Sequence, residues 1–382
     1  MILFLALLAV SLLVFYAILQ SDLSGLVKFF LVICEMLVVS QVLIRKYKLP
    51  SELGLVLWKS KRGIRLINEL AKRQKAWEFF SDMGSTISYG LMSAAIMRKN
   101  TSWKSMAVGM VFLFLLSAII APLAMEFLRV VLTGTSILDK DQLIVLLDPQ
   151  TTALIMFAVM ILGGFFLVLL LSIVYYGIYV LFQIIEFLLY GSDAISSTSP
   201  GGTLLLPGVN LPFFEGIIAL IAILVAHEVS HAVLARIANV PIKSSGLVFF
   251  GIIPMGAFVE PDEKVLEKVE KTKQTRVLVA GPTANFVSSV AFFILFVVVA
   301  LTLKNVSATE IIYPVLKFIY ITAGLAFALN FIVATVNLLP LPVFDGYRLL
   351  EVNIQNRHIV KAIMFITLGA FILNFLPWFF AK

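Results

Sequence analysis

Residues 211–238 read LPFFEGIIALIAILVAHEVSHAVLARIA, a run that is apolar almost throughout yet carries His227, Glu228 and His231 within five positions. A helix rises 1.5 Å per residue, so about 20 apolar residues cross the hydrocarbon layer of a bilayer. Ionisable groups inside such a span are costly unless they are paired or bound to something. The stretch raises two questions at once: how many spans the chain makes, and what the three polar side chains share.

The chain as a whole belongs in a membrane. Of its 382 residues 61% are hydrophobic and 13% charged, with a mean hydropathy of +1.04. Ordinary soluble domains are about 45–50% apolar and about 25% charged. Apolar runs occur at about 1–20, 26–44, 82–97, 105–131, 151–190, 213–237, 277–301, 312–337 and 360–380, which predicts eight to ten crossings. The run 82–97 is short, and 151–190 is long enough for one extended helix or two tight ones, with a break near Gly163 and Gly164. The first 20 residues lack a basic start and a clear cleavage site, so they read as a retained helix. Cys34, the single cysteine, excludes an internal disulfide. The expected class is an all-α polytopic membrane protein.

The net charge is +7, and much of that excess lies between Arg45 and Lys75, directly after an apolar run. That placement fits a cytoplasmic, positive-inside segment rather than a nucleic-acid groove. Residues 45–79 are amphipathic and basic, and part of them reads as a lipid-surface helix with Trp58 and Trp77 near the headgroups. Residues 191–212, GSDAISSTSPGGTLLLPGVNLP, form a loop that divides accessory helices at 1–190 from a core at 213–382. Taking 151–190 as one crossing puts this loop outside and puts 238–276 and 338–359 inside. Residues 246–259, GLVFFGIIPMGAFV, combine β-branched and aromatic residues with glycines and a proline. They predict a small membrane-associated β-hairpin with its bend near Pro254–Gly256, which lipid-facing surfaces cannot accommodate uncovered.

His227 and His231 lie four apart, on one face of a helix, so their imidazoles converge on a single ion. Glu228 is placed to reach a water held there. This is the HExxH pattern: two zinc ligands and a general base. A catalytic zinc site takes a third protein ligand and keeps one position open. His358, in NIQNRHIVK, is one candidate, in a charged segment at a membrane boundary. Asp345, in NLLPLPVFDGYRLL, is the better one. Pro340 and Pro342 disrupt regular helix there, and Gly346 gives room for a tight turn. Broken helix at membrane depth is tolerated only where protein or water covers it.

With these segments in view, the chain resembles the site-2 protease family of intramembrane zinc metalloproteases, and most closely its archaeal multispanning members without a PDZ domain. HExxH at 227–231, GPTAN at 281–285 and NxxPxPxxDG at Asn337, Pro340, Pro342, Asp345 and Gly346 carry the resemblance over roughly 200–382. It implies Asp345 as third ligand of one Zn2+, Glu228 as catalytic acid–base, and Asn337 as a residue that positions the substrate backbone. Gly281, Pro282, Asn285 and Gly346 are expected to be structural, near the site. The implied partners are transmembrane protein or peptide substrates and the bilayer, with no nucleic acid. The implied location is a multi-pass cell membrane protein with its site toward the cytoplasm. A membrane metal-ion transporter and a catalytically idle membrane-protein binding module are the alternatives. Neither needs an acid beside two ligands.

Overall fold

The computed structural model describes residues 2–380 apart from 24, 53, 98–101, 134–148, 192–193, 203–206, 208–210 and 252. Much of the expected 191–212 loop therefore lies outside the described residues. In chain order the elements are α1 (Ile2–Gln20), α2 (Gly25–Tyr47), β1 (Ser51–Glu52), β2 (Leu55–Lys59), α3 (Lys61–Ala71), α4 (Gln74–Tyr89), a 3-10 turn (Gly90–Met92), α5 (Ser93–Met97), α6 (Trp103–Thr133) and α7 (Pro149–Tyr190). There follow α8 (Ala194–Ser197), α9 (Phe213–Ile237), β3 (Ile242–Phe250), β4 (Ile253–Pro261), α10 (Glu263–Leu266), α11 (Lys271–Leu303), α12 (Tyr313–Val336), α13 (Asp345–Asn353), α14 (Arg357–Phe375) and a final 3-10 turn (Leu376–Phe379).

The protein is an all-α polytopic membrane protein with a small β element. Among the described residues six helices are long and apolar enough to cross: Trp103–Ile120, Leu154–Tyr190, Phe213–Ile237, Lys271–Leu303, Tyr313–Val336 and Arg357–Phe379. The run 82–97 is not among them. It is the end of α4, the 3-10 turn and α5. Residues 81–90 are all buried although half of them are polar, so this piece faces protein and not lipid. In α7 the expected break is present, at Gly164, whose φ of 59° and ψ of −158° are not helical.

Residues 1–74, 205–268 and 287–332 form one compact unit. Its sheet is antiparallel in the order β1-β2-β3-β4. The hairpin expected at 246–259 is longer, spanning 242–261, and its bend is earlier than Pro254–Gly256. The turn follows Phe250, where Gly251 adopts φ +59°, a conformation glycine takes without strain. Two further strands come from the basic segment. Trp58 pairs with Leu247 and Lys59 with Gly246, where a Cβ would lie 2.0 Å from the Trp58 carbonyl oxygen. Residues 45–79 thus hold strand as well as helix; Trp58 is exposed on β2, while Trp77 packs edge-on against Phe80 in α4. The outer helices grip the hairpin tip: Ser40 Oγ in α2 accepts the Gly251 N–H at 2.7 Å. The sheet packs on α9 through β4, where Gly256 leaves no room for a Cβ against Leu224. α3 packs against both α9 and β3.

Residues 75–204, 269–286 and 333–382 form the second unit. α7 packs along α14, so closely that a Cβ on Gly177 would touch the backbone of Ala370 at 3.1 Å. α4 meets the first half of α11 with comparable closeness, because a Cβ on Gly84 would lie 1.6 Å from Thr283 Oγ1. The same two helices share an ion pair: Arg276 donates to both Asp82 oxygens at 2.7 and 2.9 Å.

Candidate metal centre

α9 begins after Pro212 and ends with its last carbonyls satisfied. Asn239 takes φ +62°, its N–H bonds to Arg236 O, and the Val240 N–H bonds to Ala235 O. These two bonds make a Schellman motif, with asparagine tolerating the left-handed position. The helix is therefore pinned ~9 Å beyond His231 at 1.5 Å per residue. On its inner face the Nε2 atoms of His227 and His231 are 3.0 Å apart and the rings are nearly perpendicular, at 74°. His227 is 5% exposed. Glu228 turns toward the sheet, where its Oε2 accepts the Val259 N–H of β4 at 3.4 Å. Ser230 bonds back to the Ala226 carbonyl and adds nothing to the site.

Asp345 is delivered by a broken helix. α12 stops at Val336, and Leu338 and Leu339 close a tighter turn onto Thr335 and Val336. After the two prolines the chain doubles back. The Gly346 N–H bonds to Asn337 O at 2.7 Å, and a Cβ on Gly346 would sit 2.0 Å from Leu338 O. Only glycine fits, and the residue before it opens α13. His227 and His231 each offer a ring nitrogen, and Asp345 offers a carboxylate at the first residue of α13. His358 is elsewhere, exposed in the first turn of α14 beside its cap, Asn356.

The donor set suits zinc. Two imidazole nitrogens bound at about 2.05 Å with a tetrahedral angle between them would stand ~3.3 Å apart, close to the separation seen here. Two nitrogens and a carboxylate oxygen leave one position open, as a catalytic zinc requires.

The residues expected near the site behave differently from one another. Asn337 donates its side-chain amide to Val333 O at 2.9 Å, back along its own helix, while its carbonyl holds Gly346. Gly281, Pro282 and Asn285 are buried within α11, which continues through the proline. The adjacent Thr283 hydroxyl bonds to Val279 O and receives the close approach of α4 at Gly84. Sequence reading missed the Val259 amide on Glu228 and the Asp82–Arg276 pair. A backbone donor leaves no trace in residue type, and a pair 194 positions apart has no local pattern.

Residues 215–320 match the model of Peptidase family M50, a range that includes His227, Glu228, His231, the hairpin and GPTAN. In this segment the chain is similar to peptidase family M50. The match stops short of Asn337 and Asp345. An uncharacterized protein of Methanocaldococcus jannaschii is 32% identical over 114 residues, 29% of this chain and 30% of that one. The Mycobacterium tuberculosis protein named "Putative zinc metalloprotease Rip3" is 31% identical over 144 residues, 37% of this chain and 32% of its own length. The matched region spans about a third of the length of these curated relatives. No solved structure matches the chain.

Proposed function

We propose that the chain is a zinc-dependent intramembrane endopeptidase, hydrolysing peptide bonds in or near the transmembrane segments of other proteins. One observation carries the reading: two imidazole nitrogens 3.0 Å apart on a membrane-length helix, with Glu228 one residue along and the M50 match around them. One Zn2+ per chain would be held by His227, His231 and Asp345. Bound there, it would supply a Lewis acid and bring the pKa of water toward neutrality.

The chain's own groups do the remaining work. Glu228 takes a proton from the attacking water at a carboxylate oxygen and returns it to the leaving amine. The Val259 N–H orients that carboxylate by holding Oε2. Asn337 would hold a substrate carbonyl only after turning its amide away from Val333 O. A substrate helix has its carbonyls committed to i→i−4 bonds, so the scissile segment must first unwind. β4 pairs only with β3 among the described strands. Its amide at Val259 already meets Glu228, so an extended substrate laid along this strand would arrive beside the base.

Residues 213–382 would then be the hydrolytic core and 1–190 the accessory segment, joined by the 191–212 loop. The site would open toward the cytoplasm: the basic stretch from Arg45 to Lys75 supplies β2 and α3, which lie against β3 and α9.

The test uses purified full-length chain and a panel of labelled spanning peptides. Cleavage is expected, lost in Glu228→Gln and in chelator, and restored by zinc. Cleavage that survives Glu228→Gln would remove the assigned base. Metal flux across vesicles without any cleavage would move the chain to the transporter reading, and partner binding unaffected by Glu228→Gln would move it to the binding module.

A further inference from the structure

α13 is nine residues long, and its first residue, Asp345, is the third ligand of the zinc reading. A helix shorter than about 12–15 residues is marginal by itself. Its axis, and with it the aim of a side chain on its first turn, is set by what holds it from outside. The near end is held by the turn described above, where the Gly346 N–H meets Asn337 O at 2.7 Å. Along its length Leu349 and Leu350 are buried, at 2% and 8% exposure. The far end lies about 12 Å along the axis from Asp345, at 1.5 Å per residue. There the chain leaves the helix, and Ile354 is extended at φ −99° and ψ 118°.

A polar pair holds that far end. Asn353, the last residue of α13, is half-buried. Its Nδ2 donates to Leu349 O at 2.9 Å within the helix and to Thr275 Oγ1 of α11 at 3.1 Å. Thr275 is 1% exposed, and its own hydroxyl donates to Lys271 O at 2.9 Å, so its oxygen remains free to accept from the asparagine. This turn of α11 is itself fixed, because the carbonyl of the next residue, Arg276, accepts Ser81 Oγ of α4 at 2.8 Å. Two apolar side chains of the same shape would fill the crossing equally well. What the polar pair adds is direction: one register and one angle of α13 against α11.

We propose that Thr275 and Asn353 are positioning residues for Asp345: their hydrogen bond fixes the far end of α13 and thereby the direction in which its first residue presents a carboxylate to zinc. The inference rests on the zinc reading given above. Neither side chain reaches the metal; both act through the short helix. A helix pinned at one end can swing, and one pinned at both ends cannot. Metal ligands must be held within about 0.5 Å and 10–20° of the productive geometry, so a modest tilt of a released α13 takes Asp345 out of range.

The experiment measures zinc affinity by chelator competition, and thermal unfolding, on full-length protein in detergent. Thr275→Val keeps the shape of the side chain and removes the acceptor. It should bind zinc about 10-fold more weakly, the low end for residues that orient a metal ligand. Thr275→Ser restores the hydroxyl but loses a buried methyl, so it should melt lower yet keep wild-type zinc affinity. Thr367→Val is the control: Thr367 is equally buried, but in α14, and gives its hydroxyl to Ile363 O of its own helix. It should leave zinc affinity as it was. Asn353→Leu reads the same bond from the other side and should weaken zinc binding too. In that background Thr275→Val should cost nothing further, since residues sharing one bond are not additive. Wild-type zinc affinity in Thr275→Val or in Asn353→Leu overturns the proposal. So does an equal loss in Thr275→Ser or Thr367→Val, or two losses that simply multiply in the double variant. If the wild-type chain takes up no zinc, or Asp345→Ala binds it equally well, the zinc reading itself fails and the proposal with it. That outcome is distinct, because in the others the wild-type affinity and its dependence on Asp345 persist.

Discussion

Two helices bury polar side chains in this oily chain, and they do so for opposite reasons. α9 holds His227, Glu228 and His231 in a helix that is otherwise hydrocarbon, with the imidazole nitrogens turned on each other. α4 holds Ser81, Asp82, Ser85, Thr86, Ser88 and Tyr89 and buries every one. In the first set the two histidines lie four residues apart along one helix face with their ring nitrogens together, and Glu228 beside them turns to the sheet. The second is distributed around its helix, and its main partners belong to α11 nearly two hundred positions on. Clustered ionisable groups on one face point to a shared ligand. Scattered polar groups around a buried helix point to packing between helices.

The contrast makes a double prediction. Glu228→Gln keeps the shape and hydrogen-bonding reach of the side chain but removes the base. General-base catalysis contributes about 10²–10⁴-fold, so peptide hydrolysis should fall by at least about 100-fold, with melting temperature and zinc content unchanged. Asp82→Ala should do the reverse. The Asp82 and Arg276 side chains are 6% and 15% exposed, so the alanine strands a guanidinium away from water. Breaking a buried pair this way costs about 3–5 kcal/mol. The lower end is expected, because Glu78 remains 3.6 Å from Arg276. Unfolding in detergent would show the loss, while activity per folded molecule stays near wild type. If the two variants traded outcomes, the distinction between the helices would be wrong.

Next in size is Gly84→Ala. Its Cβ would have to occupy the place of Thr283 Oγ1, and α4 would have to back away from α11. Overpacking of this kind costs about 1–3 kcal/mol, read as a lower midpoint in the same unfolding experiment. A wild-type midpoint would show that the two helices can separate freely.

That contact also marks where sequence reading stops. The membrane class, the HExxH face and the helix break at Gly164 were legible because each depends on residues close in sequence: composition, an i,i+4 spacing, adjacent glycines. The hairpin was legible as strand but its bend was misplaced, since Pro254–Gly256 and Gly251 both offer turn residues and only pairing with β2 and α2 selects among them. β1 and β2 were read as part of a basic amphipathic surface. The strand character of β2 comes from joining β3, and that of β1 from pairing with β2, not from their own short patterns. Residues 82–97 looked like a short span because buried serine, threonine and tyrosine are compatible with either lipid or protein contact. What decided it was the partner across the gap, which hydropathy does not encode.

The smallest expected effect concerns the third histidine. His358 had the right chemistry for a zinc ligand and was the alternative to Asp345. It lies exposed in the first turn of α14, where the Asn356 side chain accepts its backbone N–H, and that cap does not use the imidazole. His358→Ala should therefore change stability by no more than about 0.5 kcal/mol and leave zinc affinity alone. Asp345→Ala, by contrast, removes one of the three proposed ligands and should release the metal. Measured side by side by chelator competition, these substitutions decide which of two plausible donors the broken helix was built to deliver. A loss of zinc in His358→Ala and none in Asp345→Ala would reassign the third ligand, and with it the purpose of the turn that only Gly346 permits.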